Sequence, residues 1–157
     1  MKHMLCKKVF ALFLICGGVF FLFFRGDKNQ EIYDGGAIVS IGKHRFVAEI
    51  ADTEEERARG LSGRDEFAEG YGMLFLFDTP EVGHFWMKDM RFPIDIIWVR
   101  EGKVIGVEER VLSPSSSLAL SELPLYVSPG PVDMVFEVRA GTADILTISV
   151  GDAFSLN

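Results

Sequence analysis

The sequence predicts a mostly β domain of the α+β class: an antiparallel barrel-like or sandwich-like single domain with one or two short helices. Three observations predict it. Apolar and polar residues alternate with a period of two in several short segments, as in half-buried strands. Glycine-containing turns separate two pairs of those segments, which is typical of hairpins. Only one segment carries a convincing helix start signal.

The strand segments follow one another along most of the domain. AIVSI and RFVAEIA flank a turn that begins at Gly42, and IIWVR and KVIGVEERV flank Glu101 and Gly102, so we expect two hairpins. MLFLF, residues 73–77, is apolar on both faces and should be a central buried strand. VDMVFEV alternates between two faces, and DAFSL closes the chain with Phe154 and Leu156 on a common side.

The helix signal lies in DTEEERARG. Thr53 and Glu56 have the spacing of a capping box, acidic residues occupy the first turn, arginines the last, and Gly60 ends the segment. Because its only strong apolar anchor is Leu61, just beyond its end, this helix should lie on the surface. A second helical turn is expected within residues 140–146, and Gly72 is expected to form the turn before the buried strand.

Residues 112–132 differ from the rest, because four prolines and several serines make regular structure unexpected there. About twenty residues is long for a connection inside a small domain. We expect this segment to be a loop, either a lid over a site or a solvated connection without a role. Its three consecutive serines, 115–117, have no histidine or nucleophile-elbow motif beside them, so they are not predicted to be catalytic.

Charge is unevenly distributed along the chain. Residues 1–31 hold five basic and two acidic residues, a net charge of +3. Residues 32–157 hold 11 basic and 21 acidic residues, a net charge of −10. A domain this acidic repels phosphate backbones, so a nucleic-acid partner is not predicted.

Residues 1–31 are predicted to be an N-terminal signal or membrane anchor with a tether, and residues 32–157 a globular extracytoplasmic domain. The uncharged, mostly apolar run 9–24 would span roughly 24 Å as a helix, less than a hydrocarbon core of about 30 Å. No small-residue cleavage pattern precedes Arg25, and Lys7 and Lys8 stand before the run. We therefore expect a retained anchor in the cytoplasmic membrane with the domain outside; a protein secreted to the periplasm after cleavage is the alternative.

Both cysteines, Cys6 and Cys16, lie in this leader. The domain is therefore expected to fold without a disulfide and without a thiolate metal site. His84 stands alone among scattered carboxylates, whereas catalytic zinc uses about three protein ligands. No metal and no other cofactor is predicted.

The segment HFWMKDMRFPIDIIWV, residues 84–99, combines large rings with charged side chains. If strand alternation continues through it, Trp86 and Lys88 share one face and Phe85 and Met87 the other, so one face would fill the core and the other would carry a polar site. Basic residues cluster around this segment, and those predicted to bind a ligand with Trp86 are Arg57, Arg64 and Lys88. Such a cleft would accept a carboxylate, a phosphate or an acidic peptide; surface pairing with nearby acids is an equal alternative.

Five residues are expected to support this site: Gly60, Gly72, Asp89, Pro93 and Asp95. Asp95 follows Pro93 at the entrance of an apolar strand, so its carboxylate should be half-buried and needs hydrogen-bond donors. The donors expected are Arg64, Lys88 or a backbone N–H of the turn 60–63. We expect Asp95 to be a structural latch and Lys88 to bind the ligand.

The order ARGLSGR, GMLFLF, HFWMKDMRFPIDIIWV, VFEVRAG and VGD resembles a bacterial and archaeal family, domain of unknown function 192, over about residues 45–155. The resemblance implies the same β-rich fold and no particular reaction. Members of that family usually carry Asn-Thr where this chain has Asp89 and Met90, and often methionine where it has Ser62.

Two hypotheses of function remain. In the first, the chain is a membrane-tethered binding or accessory module of the cell envelope, and its ligand is a small anion, an acidic peptide segment or an envelope protein. In the second, it is a hydrolase or transferase in which Asp89 and Asp95 act as an acid–base pair beside Lys88. The first is preferred, because the sequence has no activated nucleophile, phosphate-binding loop or metal-ligand set.

Overall fold

Seven strands form one mixed sheet in the computed structural model, which describes residues 36–115 and 118–157. The strands are β1 (Ala37–Ile41), β2 (His44–Ala51), β3 (Tyr71–Trp86), β4 (Ile94–Arg100), β5 (Lys103–Val111), β6 (Leu125–Arg139) and β7 (Phe154–Leu156). Their order in the sheet is β5-β4-β6-β3-β2-β1-β7. The sheet curls into a half-barrel and carries two short helices, so the predicted mostly β single domain is confirmed.

Both predicted hairpins are present. β1 and β2 pair antiparallel around a turn in which Gly42 has φ +55°. β4 and β5 pair antiparallel around Glu101 and Gly102, which have φ +51° and +70°. Two consecutive residues with positive φ match the right-handed twist of a two-residue hairpin, and glycine adopts that conformation without strain.

Helix α1 (Glu54–Arg59) connects β2 to β3, which run parallel. The predicted capping box forms: the Glu56 backbone N–H donates to Thr53 Oγ1 at 3.2 Å, and the Thr53 N–H donates to Glu56 Oε2 at 3.2 Å. The Thr53 hydroxyl hydrogen bond is also the main reason that the pKa of Glu56 is lowered. Gly60 ends the helix with φ +48°, and no helix residue is buried, so α1 lies on the surface as expected.

The 73–77 segment is confirmed as a central strand, since it lies within β3 at the middle of the sheet. The role expected for Gly72 is corrected. Gly72 is inside β3 rather than in a turn, and a Cβ placed on it would lie 2.1 Å from Cζ of Phe136 on the neighbouring strand. Glycine is needed here because an aromatic ring covers its backbone.

Both faces of the sheet are buried, so the domain has two apolar clusters. One includes Phe75, Ile96 and Trp98 and is closed by residues that follow α1 and β3. The other includes Leu74, Ile97 and Phe136 and is closed by α2 (Thr142–Leu146), which confirms the second helical turn. Neighbouring residues on each central strand therefore point into different cores.

The expectation that residues 112–132 lack regular structure is wrong for their second half. A 3₁₀ turn spans Leu120–Glu122, and β6 starts at Leu125 and continues through Pro129 and Pro131. The prolines are tolerated because pairing of β6 with β3 is irregular here, with register shifts between 76 and 84. The Ser128 hydroxyl accepts from the Gly83 N–H at 2.9 Å and donates to Gly130 O at 2.6 Å, replacing ladder bonds.

The predicted signal or anchor falls in residues 1–31, outside the described part of the chain. Across residues 36–115 and 118–157, no helix is both long enough and apolar enough to cross a bilayer.

Candidate functional site

A cavity of about 350 Å³ lies between α1 with its following turn and the second half of β3. We call it the α1 cavity. Its wall is aromatic, its rim is charged, and Glu137 of β6 also lines it. The lining residues used below are Arg57, Arg59, Phe75, Phe77, Glu81, His84, Phe85, Trp86 and Glu137. This volume is within the range of about 300–1,000 Å³ that is usual for small-molecule pockets.

Two arginines of α1 line the cavity. Arg57 is held in place, because its Nη1 donates to Asp52 O at 2.6 Å and to Leu76 O at 2.9 Å, and its guanidinium lies 5.5 Å from the centroid of the Phe77 ring. Arg59 is exposed. Neither arginine forms an ion pair with a carboxylate in the described residues. Both charges are therefore available to an anion in the cavity.

The aromatic wall is built by β3 and supported from β4. The Phe85 ring packs edge-on against Phe75 at 5.0 Å and against Trp98 at 5.4 Å between centroids. Trp86, the next residue, is 47% exposed and leaves its ring open to solvent at the cavity. Buried neighbours thus fix the inner rings, while Trp86 presents an apolar surface that a ligand could cover.

Glu137 is the unusual member of the lining. It pairs with Met73 of β3 and Ile96 of β4, so its side chain shares their apolar face of the sheet. Glu137 is 6% exposed, and its carboxyl has no hydrogen-bond or ion-pair partner among the described residues. Burial raises the pKa of Glu137 to about 8. A carboxyl group is thus held largely protonated at neutral pH beside an open cavity.

Lys88 lies elsewhere than predicted. β3 ends at Trp86, and Lys88 sits in the following turn, so strand alternation does not place it beside Trp86. It lines a neighbouring open cleft, which we call the lysine cleft. The other lining residues used here are Ser62, Gly63, Asp89, Arg91, Pro114, Ser115, Leu118, Leu120 and Leu123. Its Nζ is 3.9 Å from Asp89 Oδ2, at the limit of an exposed ion pair.

Two hydrogen bonds from the turn that follows α1 hold the turn that carries Lys88. The Ser62 hydroxyl donates to Lys88 O at 2.8 Å, and the Gly63 N–H donates to Asp89 O at 2.9 Å. Asp89 has φ +57°, a conformation that Asp and Asn adopt more readily than most residues. An acid in place of the amide usual in the resembling family is therefore compatible with this turn.

Arg64 does not meet Lys88 or Trp86 at a common rim. It forms a bidentate ion pair with Glu49 of β2, with Nη1–Oε1 at 2.5 Å and Nη2–Oε2 at 2.7 Å. Its guanidinium also lies 5.6 Å from the Phe67 ring centroid. Of the four residues predicted to bind a ligand, the structure thus brings only Arg57 and Trp86 to one cavity.

Asp95 is fully buried, at 0% exposure, rather than half-buried. Its Oδ1 accepts from the backbone N–H of Arg110 at 2.7 Å and of Gly141 at 3.0 Å, and its Oδ2 accepts from that of Ala143 at 2.8 Å. The expected donors, Arg64, Lys88 and the 60–63 turn, are therefore wrong. A latch geometry is present, but it ties β4 to β5 and α2. Next to it, Pro93 O accepts from the Ala140 N–H at 3.3 Å.

Comparison with known proteins identifies the family. The family model DUF192, described as Uncharacterized ACR, matches residues 37–156. The chain belongs to this family. A search of curated proteins found no match.

Two solved structures are similar to this DUF192 chain. One is a protein of unknown function from Novosphingobium aromaticivorans DSM 12444, with a TM-score of 0.68 and 29% sequence identity. The match covers 75% of this chain and 83% of the Novosphingobium chain. The other, from Sinorhizobium meliloti 1021, was described as a proposed transcription regulator. It has a TM-score of 0.69 and 27% sequence identity, and the match covers 76% of this chain and 92% of the Sinorhizobium chain.

Glu137 was not singled out by sequence reasoning. One signal was present: Glu137 is the single acidic residue in the apolar run MVFEV, residues 134–138, on a strand long enough to be central. Alternation alone assigns it to the face opposite Phe136, and only the curled sheet makes that second face a core as well.

Proposed function

We propose that this DUF192 chain is a membrane-tethered binding or accessory module of the cell envelope, and that it binds a small anionic molecule in the α1 cavity. The observation that carries the proposal is that Arg57 and Arg59, unpaired with any described carboxylate, line one aromatic-walled cavity. With Glu137 protonated, the lining holds these two positive charges against the single negative charge of Glu81. A cavity of this size favours a small molecule over a peptide segment.

The alternative, a hydrolase or transferase using Asp89 and Asp95, receives less support. Asp95 is fully buried and its two oxygens accept three backbone hydrogen bonds, so it has no exposed surface to meet a substrate. Asp89 lies in the lysine cleft. General acid–base catalysis needs both groups within reach of the reacting atoms.

Regulation of transcription, the activity proposed for the Sinorhizobium relative, is also disfavoured for this chain. Residues 32–157 carry a net charge of −10, which opposes approach to DNA phosphates.

The proposed location in the cytoplasmic membrane rests on the leader sequence. The full chain should sediment with membranes, and its domain should be cut by protease added outside the cytoplasmic membrane. Recovery of the protein mainly as a soluble, N-terminally shortened form would contradict the tether.

The ligand proposal is tested by titrating the full-length chain with 3-phenylpropanoate, an anionic probe with one ring. Arg59→Gln should weaken binding by about tenfold or more, because a charged hydrogen bond contributes about 1.5–3 kcal/mol. Arg45→Gln is the matched control, since it removes the same charge from an exposed position on β2 outside the cavity lining. Equal affinity of Arg59→Gln and the control would overturn the α1 cavity as the anion site.

A further inference from the structure

The buried carboxyl of Glu137 is not explained by the fold. Side chains at neighbouring sheet positions on the same face, Met73 and Ile96, are apolar and buried, so an apolar residue would satisfy the core at this position. Buried polar groups in proteins are normally hydrogen-bonded, and leaving one unpaired is unfavourable. Because Glu137 also lines the α1 cavity, the missing partner has a place to bind.

Three features of the cavity indicate the chemistry of that partner. The arginines lie on α1 and the buried carboxyl lies on β6, so different elements bring cationic and acidic groups to one lining. Neither arginine is within ion-pair distance of Glu137 in the described residues. Phe75, Phe85 and Trp86 provide ring surfaces in the same lining, and aromatic rings attract cations.

We propose, building on the proposed function, that the ligand is amphoteric: its anionic group binds Arg57 and Arg59, and its ammonium group binds the Glu137 carboxylate between the aromatic rings. An ammonium group donates hydrogen bonds to the carboxylate and neutralises its charge in the buried setting. The apolar part of the ligand lies against the phenylalanine wall. The chemical class is therefore a small amino acid-like compound with an apolar side group.

Binding of such a ligand is coupled to proton release. Glu137 is largely protonated without ligand, because burial raises its pKa to about 8. Pairing with an ammonium group favours the charged form, so about one proton should leave on binding at pH 7. The other charged or titratable groups in the lining are Arg57 and Arg59 of α1 and Glu81 and His84 of β3. β4 presents the apolar Ile96 at its position opposite Glu137.

The experiment compares three probes with the same ring: phenylalanine, phenethylamine and 3-phenylpropanoate. Each is titrated by calorimetry into the full-length chain in mild detergent, at pH 7, in buffers of different ionisation enthalpy. Phenylalanine should bind about tenfold or more tightly than 3-phenylpropanoate and release about one proton, whereas 3-phenylpropanoate should release none. A His84→Gln variant should leave the proton release in place, which separates Glu137 from the nearby imidazole.

Glu137→Gln supplies the decisive variant, because it keeps the shape of the side chain and removes its charge. It should abolish both the preference for phenylalanine and the proton release, while Glu109→Gln, the same change at an exposed position outside the lining, should keep both. Binding of 3-phenylpropanoate as tightly as phenylalanine, without proton release, would overturn the amphoteric ligand and leave the anion site standing. Failure of all three probes to bind would overturn both proposals.

Discussion

At the scale of single residues, Asp95 shows how one side chain can join three elements. Its carboxylate on β4 accepts backbone N–H groups from the end of β5 and from the start of α2. Two of these bonds are fully buried, so removing the acceptor would leave N–H groups that water cannot reach. The bonds therefore stabilise the closure of α2 over the second core.

Asp95→Ala should lower the free energy of unfolding by roughly 2–4 kcal/mol, because three donors lose their acceptor. Lys88→Ala is the control: Lys88 is exposed in a turn, and its loss should change the free energy by less than about 0.5 kcal/mol. Urea unfolding followed by circular dichroism measures both. Equal midpoints for the two variants would show that the Asp95 bonds do not hold the domain together.

The sequence could indicate a latch at Asp95 but not its donors. An acid entering an apolar strand needs partners, and that requirement is local. The partners lie 15, 46 and 48 residues away and are backbone groups, so no side-chain pattern marks them. Arg64, which follows α1, illustrates the same limit, since its partner Glu49 lies on β2, 15 residues earlier in the chain.

At the scale of elements, the contact between β3 and β6 depends on Gly72. The Phe136 ring lies where a Cβ of residue 72 would be, and the Glu137 carbonyl oxygen is 2.9 Å from the same point. Backbone and ring would both have to move for a larger residue. Because Phe136 also packs on Phe46 and Phe154, that movement would disturb one whole core.

Gly72→Ala should therefore destabilise the domain by about 1–3 kcal/mol or more through overpacking. Gly130→Ala is a matched control in β6, because nothing lies within 4 Å of its would-be Cβ and its φ is not in the positive region. Thermal unfolding should show a lowered midpoint only for the first variant. A similar midpoint for both would mean that the Phe136 ring moves aside without cost.

Element prediction was successful where local signals act alone. The hairpins and α1 carry their turn and capping residues within a few positions, so they could be predicted. The start of β6 could not, because Pro129 and Pro131 argue against a strand. Pairing with a bulged β3 and the Ser128 hydroxyl accommodate them, and both depend on a strand more than 40 residues earlier.

At the scale of the whole molecule, the curl of the sheet creates the candidate site. A flat sheet with one solvated face would leave Glu137 in water as an ordinary surface acid. In the half-barrel both faces are covered, so Glu137 lies in the first core at the edge of the α1 cavity. Alternation in the sequence gave its face correctly but not the second layer that covers it.

This placement makes the stability of the whole domain depend on pH. The pKa of Glu137 is raised by burial from 4.5 to about 8, so between those values the folded chain binds one more proton than the unfolded chain. Stability should therefore fall as pH rises from about 4.5 to 8, by about 1.4 kcal/mol per pH unit. Glutamine is neutral in both states and does not contribute this loss.

Glu137→Gln should consequently raise the free energy of unfolding at pH 7 by on the order of 3 kcal/mol, with no difference below about pH 4. Urea unfolding at several pH values between about 4 and 8 measures the two slopes, and Glu109→Gln should follow the parent chain. Parallel slopes for the parent and Glu137→Gln would show that Glu137 ionises normally in the folded state. A steeper loss in the parent would mean that the domain retains a destabilising acid, as expected if the ligand requires it.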